Sequence, residues 1–151
     1  MTHHLAQINV GRLLAPPDDP RVAEFVNALD EINALADTSD GFVWRLQDES
    51  GNALAIREFE DPTVALNLSV WESVESLHAF TYRSAHAEFF KRRALWFEPP
   101  ADIITAMWWV PVGHVPTPAE GGERLNVLRS EGPTQQAFTF AKRFPPPDAT
   151  S

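Results

Sequence analysis

The chain has 151 residues and 16.9 kDa, enough for one ordinary globular core, and its 44% hydrophobic and 22% charged residues exclude a disordered or fibrous chain. Asp and Glu number 21 against 12 Lys and Arg, a net charge of -9 that would repel a phosphate backbone, so a general nucleic-acid binder is not expected. With no cysteine, disulfides, thiolate metal sites and a cysteine nucleophile are excluded; no signal-like segment or apolar run of about 18–20 residues occurs, so a cytoplasmic, non-membrane protein is expected.

Leu5 to Val10 alternates as a strand, with Leu5, Gln7 and Asn9 on one face and Ala6, Ile8 and Val10 on the other. Asp19 before Pro20 caps an amphipathic helix that carries Val22, Phe25, Val26, Leu29, Ile32 and Ala36 at helical spacing. Asp40-Gly41 turns the chain into a strand over Phe42–Leu46, and Ser50-Gly51-Asn52 marks a hairpin tip returning through Leu54–Phe59. Leu66 to Trp71 alternates again, placing Asn67, Ser69 and Trp71 on a mixed face. Ser73 caps a helix through Phe80, and a further helical stretch runs to about Phe97, where Pro99-Pro100 stops it. Ile103–Val112 is an apolar strand whose Pro111 requires an edge, a bulge or the strand end. Thr117-Pro118-Ala119-Glu120 has the pattern of a capping box opening a helix through Leu128, which Gly132-Pro133 ends before a short strand at Ala137–Phe140.

The order β-α-β-β-α-β, with an extra C-terminal helix and short strand, predicts an α+β domain built on a ferredoxin-like split βαβ sheet over residues 1–144, followed by a proline-rich tail at 145–151. Helices are expected on one sheet face. The other face, carrying Trp71 and Trp109, then needs a second sheet, and the simplest source is an identical subunit, a homodimer enclosing a chamber between sheets.

The chemistry-bearing segment is Tyr82–Phe97. At about 100° per residue, with Tyr82 at zero, His86 falls near ~40°, Phe89 near ~340°, Arg93 near ~20° and Trp96 near ~320°, one narrow stripe of an otherwise apolar helix face. Polar groups aimed inward need partners, so these side chains either serve structure or line an aromatic pocket. In the second case His86 is the general acid or base, Arg93 binds an oxyanion, and Tyr82, Phe89 and Trp96 contribute to the lining. Asn9 and Gln7 share a sheet face from which an amide can donate to a carbonyl, or simply set strand register. Arg45, between Trp44 and Leu46, faces either solvent or the inter-sheet space. His114 lies in a loop where it could rim a pocket, while Asn33 reads as structural and His3 and His4 as solvated. No zinc, P-loop, dinucleotide or nucleophile-elbow motif occurs, so no metal or cofactor is expected.

Phe42-Val43-Trp44-Arg45, Ser69-Val70-Trp71-Glu72-Ser73, Tyr82-Arg83-Ser84-Ala85-His86, Arg93-Ala94-Leu95-Trp96-Phe97 and Trp108-Trp109-Val110-Pro111-Val112-Gly113-His114 together resemble the domain-of-unknown-function family numbered 3291. The resemblance implies a dimeric α+β barrel, a superfamily that includes antibiotic-biosynthesis monooxygenases, haem-degrading monooxygenases and cyclases. In its haem-degrading members an asparagine on the first strand, a tryptophan and a helix histidine surround haem; Asn9 and His86 match two of these, and Phe80 stands at the place of the third. Its quinone-forming members act without metal or flavin on electron-rich aromatics. The expected activity is therefore oxygenation, cyclisation or isomerisation of a hydrophobic aromatic or polyketide-like molecule, with His86, Arg93, Asn9 and Tyr82 catalytic and Trp44, Arg45, Trp71, Phe89, Trp96, Trp109 and His114 contacting substrate. The alternatives are a non-catalytic ligand-binding or stress-related protein and a haem-binding protein using His86.

Overall fold

The computed structural model describes residues 2–16, 18–46, 64–83, 86–99 and 103–147, apart from the side chains of residues 86, 89 and 90. Four strands, β1 (His3–Arg12), β2 (Phe42–Arg45), β3 (Val64–Trp71) and β4 (Thr105–Pro111), form one antiparallel sheet in the order β2-β3-β1-β4. This is the expected split βαβ arrangement, in which the central strands β1 and β3 are separated in sequence by α1 and β2. Pro111 sits at the end of β4, where its missing N–H leaves the ladder intact. The expected hairpin tip and return strand at 50–59 lie outside the described residues.

Helix α1 (Ala23–Asp37) follows a 3₁₀ turn at Pro20–Val22, whose Asp19 cap accepts from the Arg21 backbone N–H at 2.8 Å. The Arg21 side chain first, and then that N–H, hold the Asp19 carboxyl below the ordinary carboxylate range. Helix α2 (Val74–Arg83) begins at a reciprocal pair, in which the Ser76 N–H donates to Ser73 Oγ at 3.1 Å and the Ser73 N–H to Ser76 Oγ at 3.2 Å.

The single helix expected from Tyr82 to Phe97 is not formed. Helix α2 ends at Arg83, α3 spans His86–Lys91, and a 3₁₀ turn holds Arg93–Leu95. The cause of the last break is strand pairing: Phe97 bridges Leu13, the Leu14 N–H donates to the Trp96 carbonyl at 2.8 Å and the Glu98 N–H to the Arg12 carbonyl at 2.8 Å. These bonds require extended backbone just where the helix would continue, and Pro99 restrains Glu98 in the same sense.

The expectation of helices on one face is also corrected. Ala6, Ile8, Leu66, Leu68, Val70, Ala106, Trp108 and Val110 form one sheet face, buried in one cluster with Leu125 and Leu128 of α4 (Pro118–Glu131), which packs on β4 and β1. At the other face, Leu5, Trp71 and Met107 pack with Val74 and Leu77 of α2, Ala36 of α1 and Phe138. Both faces of the sheet are therefore covered by the chain itself. Past α4, Phe138 exchanges backbone hydrogen bonds with Met107 at 2.9 and 3.0 Å, so the expected last strand is reduced to a bridge on the outer edge of β4.

Candidate functional site

Strand register sorts the second sheet face into rows. Trp109, Leu5, Trp71 and Phe42 stand side by side, followed by Met107, Gln7, Ser69 and Arg45, then Thr105, Asn9 and Asn67, and finally Gly11 opposite Ala65. The first row is apolar; Phe42 meets Trp71 edge-on at 5.4 Å and Phe80 lies against Trp71 at 5.2 Å. At the far end, Phe97 covers Gly11 so closely that a Cβ there would lie 2.7 Å from its ring, and Leu13, Ala15, Val22 and Trp96 form a separate apolar cluster with Phe25. Helix α1 is anchored in both clusters, through Phe25 at one end and Ala36 at the other. Its middle therefore spans the two polar rows, and Leu29, Ile32 and Asn33 there are half-buried.

Those rows form a connected tray of amides. Gln7 is 4% exposed and its Nε2 donates to Asn67 Oδ1 at 2.6 Å and to Ser69 Oγ at 2.7 Å. Asn9 Nδ2 donates to Gln7 Oε1 at 3.2 Å, and Trp71 Nε1 to Ser69 Oγ at 2.9 Å. Gln7 has thereby used both of its N–H groups and one side of its carbonyl, so it orients both asparagines. Asn67 is exposed although it lies on an interior strand, so among the described residues the helical layer leaves this end of the tray open. Asn67 Nδ2 and Asn9 Oδ1 have no protein partner among the described residues, and remain available to a ligand.

Of the residues expected to act, Asn9 lies in the tray, with Trp71 and Trp109 in the adjoining row. Arg45 also faces this side, where its guanidinium meets the Asp37 carboxylate at 2.8 and 3.2 Å and ties β2 to the end of α1. Trp44 points the other way and packs against the apolar cluster of the opposite sheet face. The helical break disperses the remaining stripe. Tyr82 is 47% exposed and stacks on His78 and Phe140 at 4.8 and 5.7 Å, Arg93 is exposed, and Trp96 is buried in the cluster with Leu13. The side chains of His86 and Phe89 lie outside the described residues.

His114 lies away from the tray, in an open groove of about 650 Å³ between the end of β4 and the start of α4. Its Nε2 is 2.7 Å from Glu120 Oε1, while Glu120 Oε2 accepts from the buried Trp108 Nε1 at 2.9 Å. The sequence left Gln7, like Asn9, open between an amide donor to a carbonyl and a register-setting amide, and assigned no role to Asn67 or Ser69. Their signal was the polar half of the alternating Leu66–Trp71 pattern, but register was needed to set Asn67 opposite Asn9 and Ser69 opposite Gln7.

No group of three His, Asp or Glu residues is placed to hold a metal ion among the described residues, and no helix there is long and apolar enough to cross a membrane. Of the three positions that correspond to groups surrounding haem in the resembling enzymes, Phe80 packs on Trp71 of this same face at 5.2 Å, Asn9 lies two rows away from Trp71, and the side chain of His86 lies outside the described residues.

No curated protein matches the chain. Among solved structures, a conserved Methanosarcina mazei Go1 protein is 18% identical with a TM-score of 0.50, covering 73% of this chain and 92% of its own. A Nitrosomonas europaea protein provisionally named an antibiotic biosynthesis monooxygenase is 15% identical with a TM-score of 0.47, covering 76% and 93%. A Pseudomonas aeruginosa protein is 14% identical with a TM-score of 0.49, covering 74% and 95%. The first of these likenesses bears on fold and agrees with the α+β sheet described above. The family Domain of unknown function (DUF3291) matches residues 4–151, and the chain belongs to that family.

Proposed function

We propose that the amide tray binds the oxygen-bearing edge of a hydrophobic, aromatic or polyketide-like molecule, and that His86 of α3 acts on that molecule as general acid or base. The observation that carries this reading is the tray itself. A sheet face that is apolar at both ends holds four connected polar side chains in its middle, and the last of them, Asn67, is exposed. A purely structural network would gain most by closing all its hydrogen bonds internally.

In this reading the histidine removes a proton from an activated C–H or O–H, since imidazole titrates near neutrality and can both take and return it. The N–H groups of Asn9 and Asn67 stabilise the oxyanion that develops, and the apolar rows hold the ring. The resulting carbanion either adds dioxygen or closes on a carbonyl of the same molecule. Oxygenation of an anthrone is balanced without a cofactor: the methylene carbon takes one oxygen atom as a carbonyl, and its two hydrogens leave with the other as water.

The test is aerobic turnover of anthrone in metal-free buffer, followed by anthraquinone absorbance. His86→Ala is expected to reduce the rate about 100-fold or more, the usual range for a lost acid or base. Asn9→Ala is expected to reduce it about tenfold or more through the lost oxyanion donor. Full activity in a folded His86→Ala protein would refute the role of the histidine. Binding of anthrone without turnover would make the chain a carrier.

A further inference from the structure

The tray carries a second message, in the charge and polarity of its open edge. The side chains of its two polar rows are Met107, Gln7, Ser69 and Arg45, then Thr105, Asn9 and Asn67. Arg45 is the one formal charge in these rows, and its Nε and Nη2 both donate to the Asp37 carboxylate. The groups left available at the open end are Asn67 Nδ2, Asn9 Oδ1 and the second N–H of Asn9, so the edge offers donors together with one acceptor, all neutral, on residues directly opposite each other. Gln7, buried between them, prevents either amide from turning over without losing a hydrogen bond, because it donates to the oxygen of Asn67 and accepts from the nitrogen of Asn9.

Resting on the function proposed above, we infer that Asn67, as the partner of Asn9, is a specificity-determining residue that selects an uncharged ligand edge presenting both an acceptor and a donor: a hydroxyaryl, enol or lactam group, and not a carboxylate or phosphate. A carboxylate entering here would find N–H groups on Asn67 and Asn9, but it has no hydrogen for Asn9 Oδ1, and its charge would be desolvated with no unpaired cation in the rows to compensate. A hydrocarbon edge would leave both amide groups desolvated. A hydroxyl or lactam satisfies both at once. The apolar rows flanking the tray accommodate the rest of the ring system.

Equilibrium dialysis of the full chain at pH 7 with 2-naphthol, naphthalene and 2-naphthoate tests this directly, since the three probes share a ring system and differ in the edge they present. The expected order is 2-naphthol tightest, with naphthalene and 2-naphthoate each weaker by about tenfold or more, the effect of one hydrogen bond to a neutral partner. Asn67→Asp keeps the oxygen that accepts from Gln7 and replaces the available N–H donor with an acceptor. It is expected to weaken 2-naphthol about tenfold. Because Asn67 is exposed, circular dichroism should show that this variant folds. If 2-naphthol and naphthalene bind equally, or Asn67→Asp binds 2-naphthol as well as the parent does, the selectivity is overturned while the tray remains a binding site. If 2-naphthoate binds best, the site is anionic in preference and the inference is overturned in the opposite sense. If none of the probes binds, the function proposed above fails and the inference fails with it.

Discussion

Gly121 occupies the inner face of α4 where Ile8 of β1 leaves no room for a side chain: an added Cβ would lie 2.7 Å from Ile8 Cδ1 and 3.3 Å from its Cβ. Alanine is the better helix former by about 1 kcal/mol, but overpacking a rigid core costs about 1–3 kcal/mol, and Ile8 is fully buried. Gly121→Ala should therefore lose about 1 kcal/mol in urea unfolding, taking the middle of those opposing terms. Ile8→Val removes the offending Cδ1, so the double variant should be more stable than the sum of the single changes by about 1 kcal/mol; additivity within about 0.5 kcal/mol would show that this contact is not what excludes a side chain. Residues of this kind are invisible in sequence, where Gly121-Gly122 reads only as a weak spot in a helix. Asn9 and Trp71 were legible because alternation alone gives their face. Asn67 and Ser69 showed their polarity but not their partners, which depend on a register set some 60 residues away along the chain.

At the scale of elements, the pattern beginning at Thr117 predicted the start of α4 but not the use made of its glutamate. Thr117 Oγ1 accepts from the Glu120 N–H at 3.1 Å, as in a capping box. The carboxylate of Glu120 instead joins the indole of Trp108 to the ring of His114, fastening the helix start to β4 and to the preceding loop. Trp108 is completely buried, so Glu120→Ala should leave its N–H without an acceptor and cost about 2 kcal/mol, within the range for an unsatisfied buried donor. Glu120→Gln retains a carbonyl for the indole and should cost less than half as much by thermal unfolding. Equal losses in the two variants would mean that charge, not the indole bond, fixes this corner. The segment Tyr82–Phe97 illustrates the opposite failure of sequence reasoning. Its spacing is helical throughout, and local periodicity does not register that Trp96–Glu98 will be claimed by the backbone of β1. Tertiary hydrogen bonds outweighed a local preference, and the single stripe of aromatic and basic groups separated into a surface cluster around Tyr82 and a core position for Trp96.

For the whole molecule, strand order followed from the succession of elements, whereas the placement of the layers did not. The reasoning that reserved one sheet face for a partner assumed that every helix would pack on the other. Helix α4 has little amphipathic signal in its sequence, with Gly121, Leu125 and Leu128 as its buried residues, yet it packs on the apolar face of β4 and β1. Among the described residues α4 packs on β4 and β1, so a second copy that met this face of the sheet would meet that helix as well. Native-state hydrogen exchange separates these arrangements. Strand β1 is paired on both sides and buried from Leu5 to Ile8, so its amides should open only with global unfolding, while those of the short edge strand β2 should exchange through local opening at lower free energy. If α4 covers the sheet within one chain, protection of Leu125 and Leu128 should be the same at micromolar and millimolar protein. Mass action would make protection depend on concentration if the cover came from another copy. Protection of β1 that rises with concentration while that of α4 falls would show a partner's sheet replacing the helix, on the face opposite the amide tray.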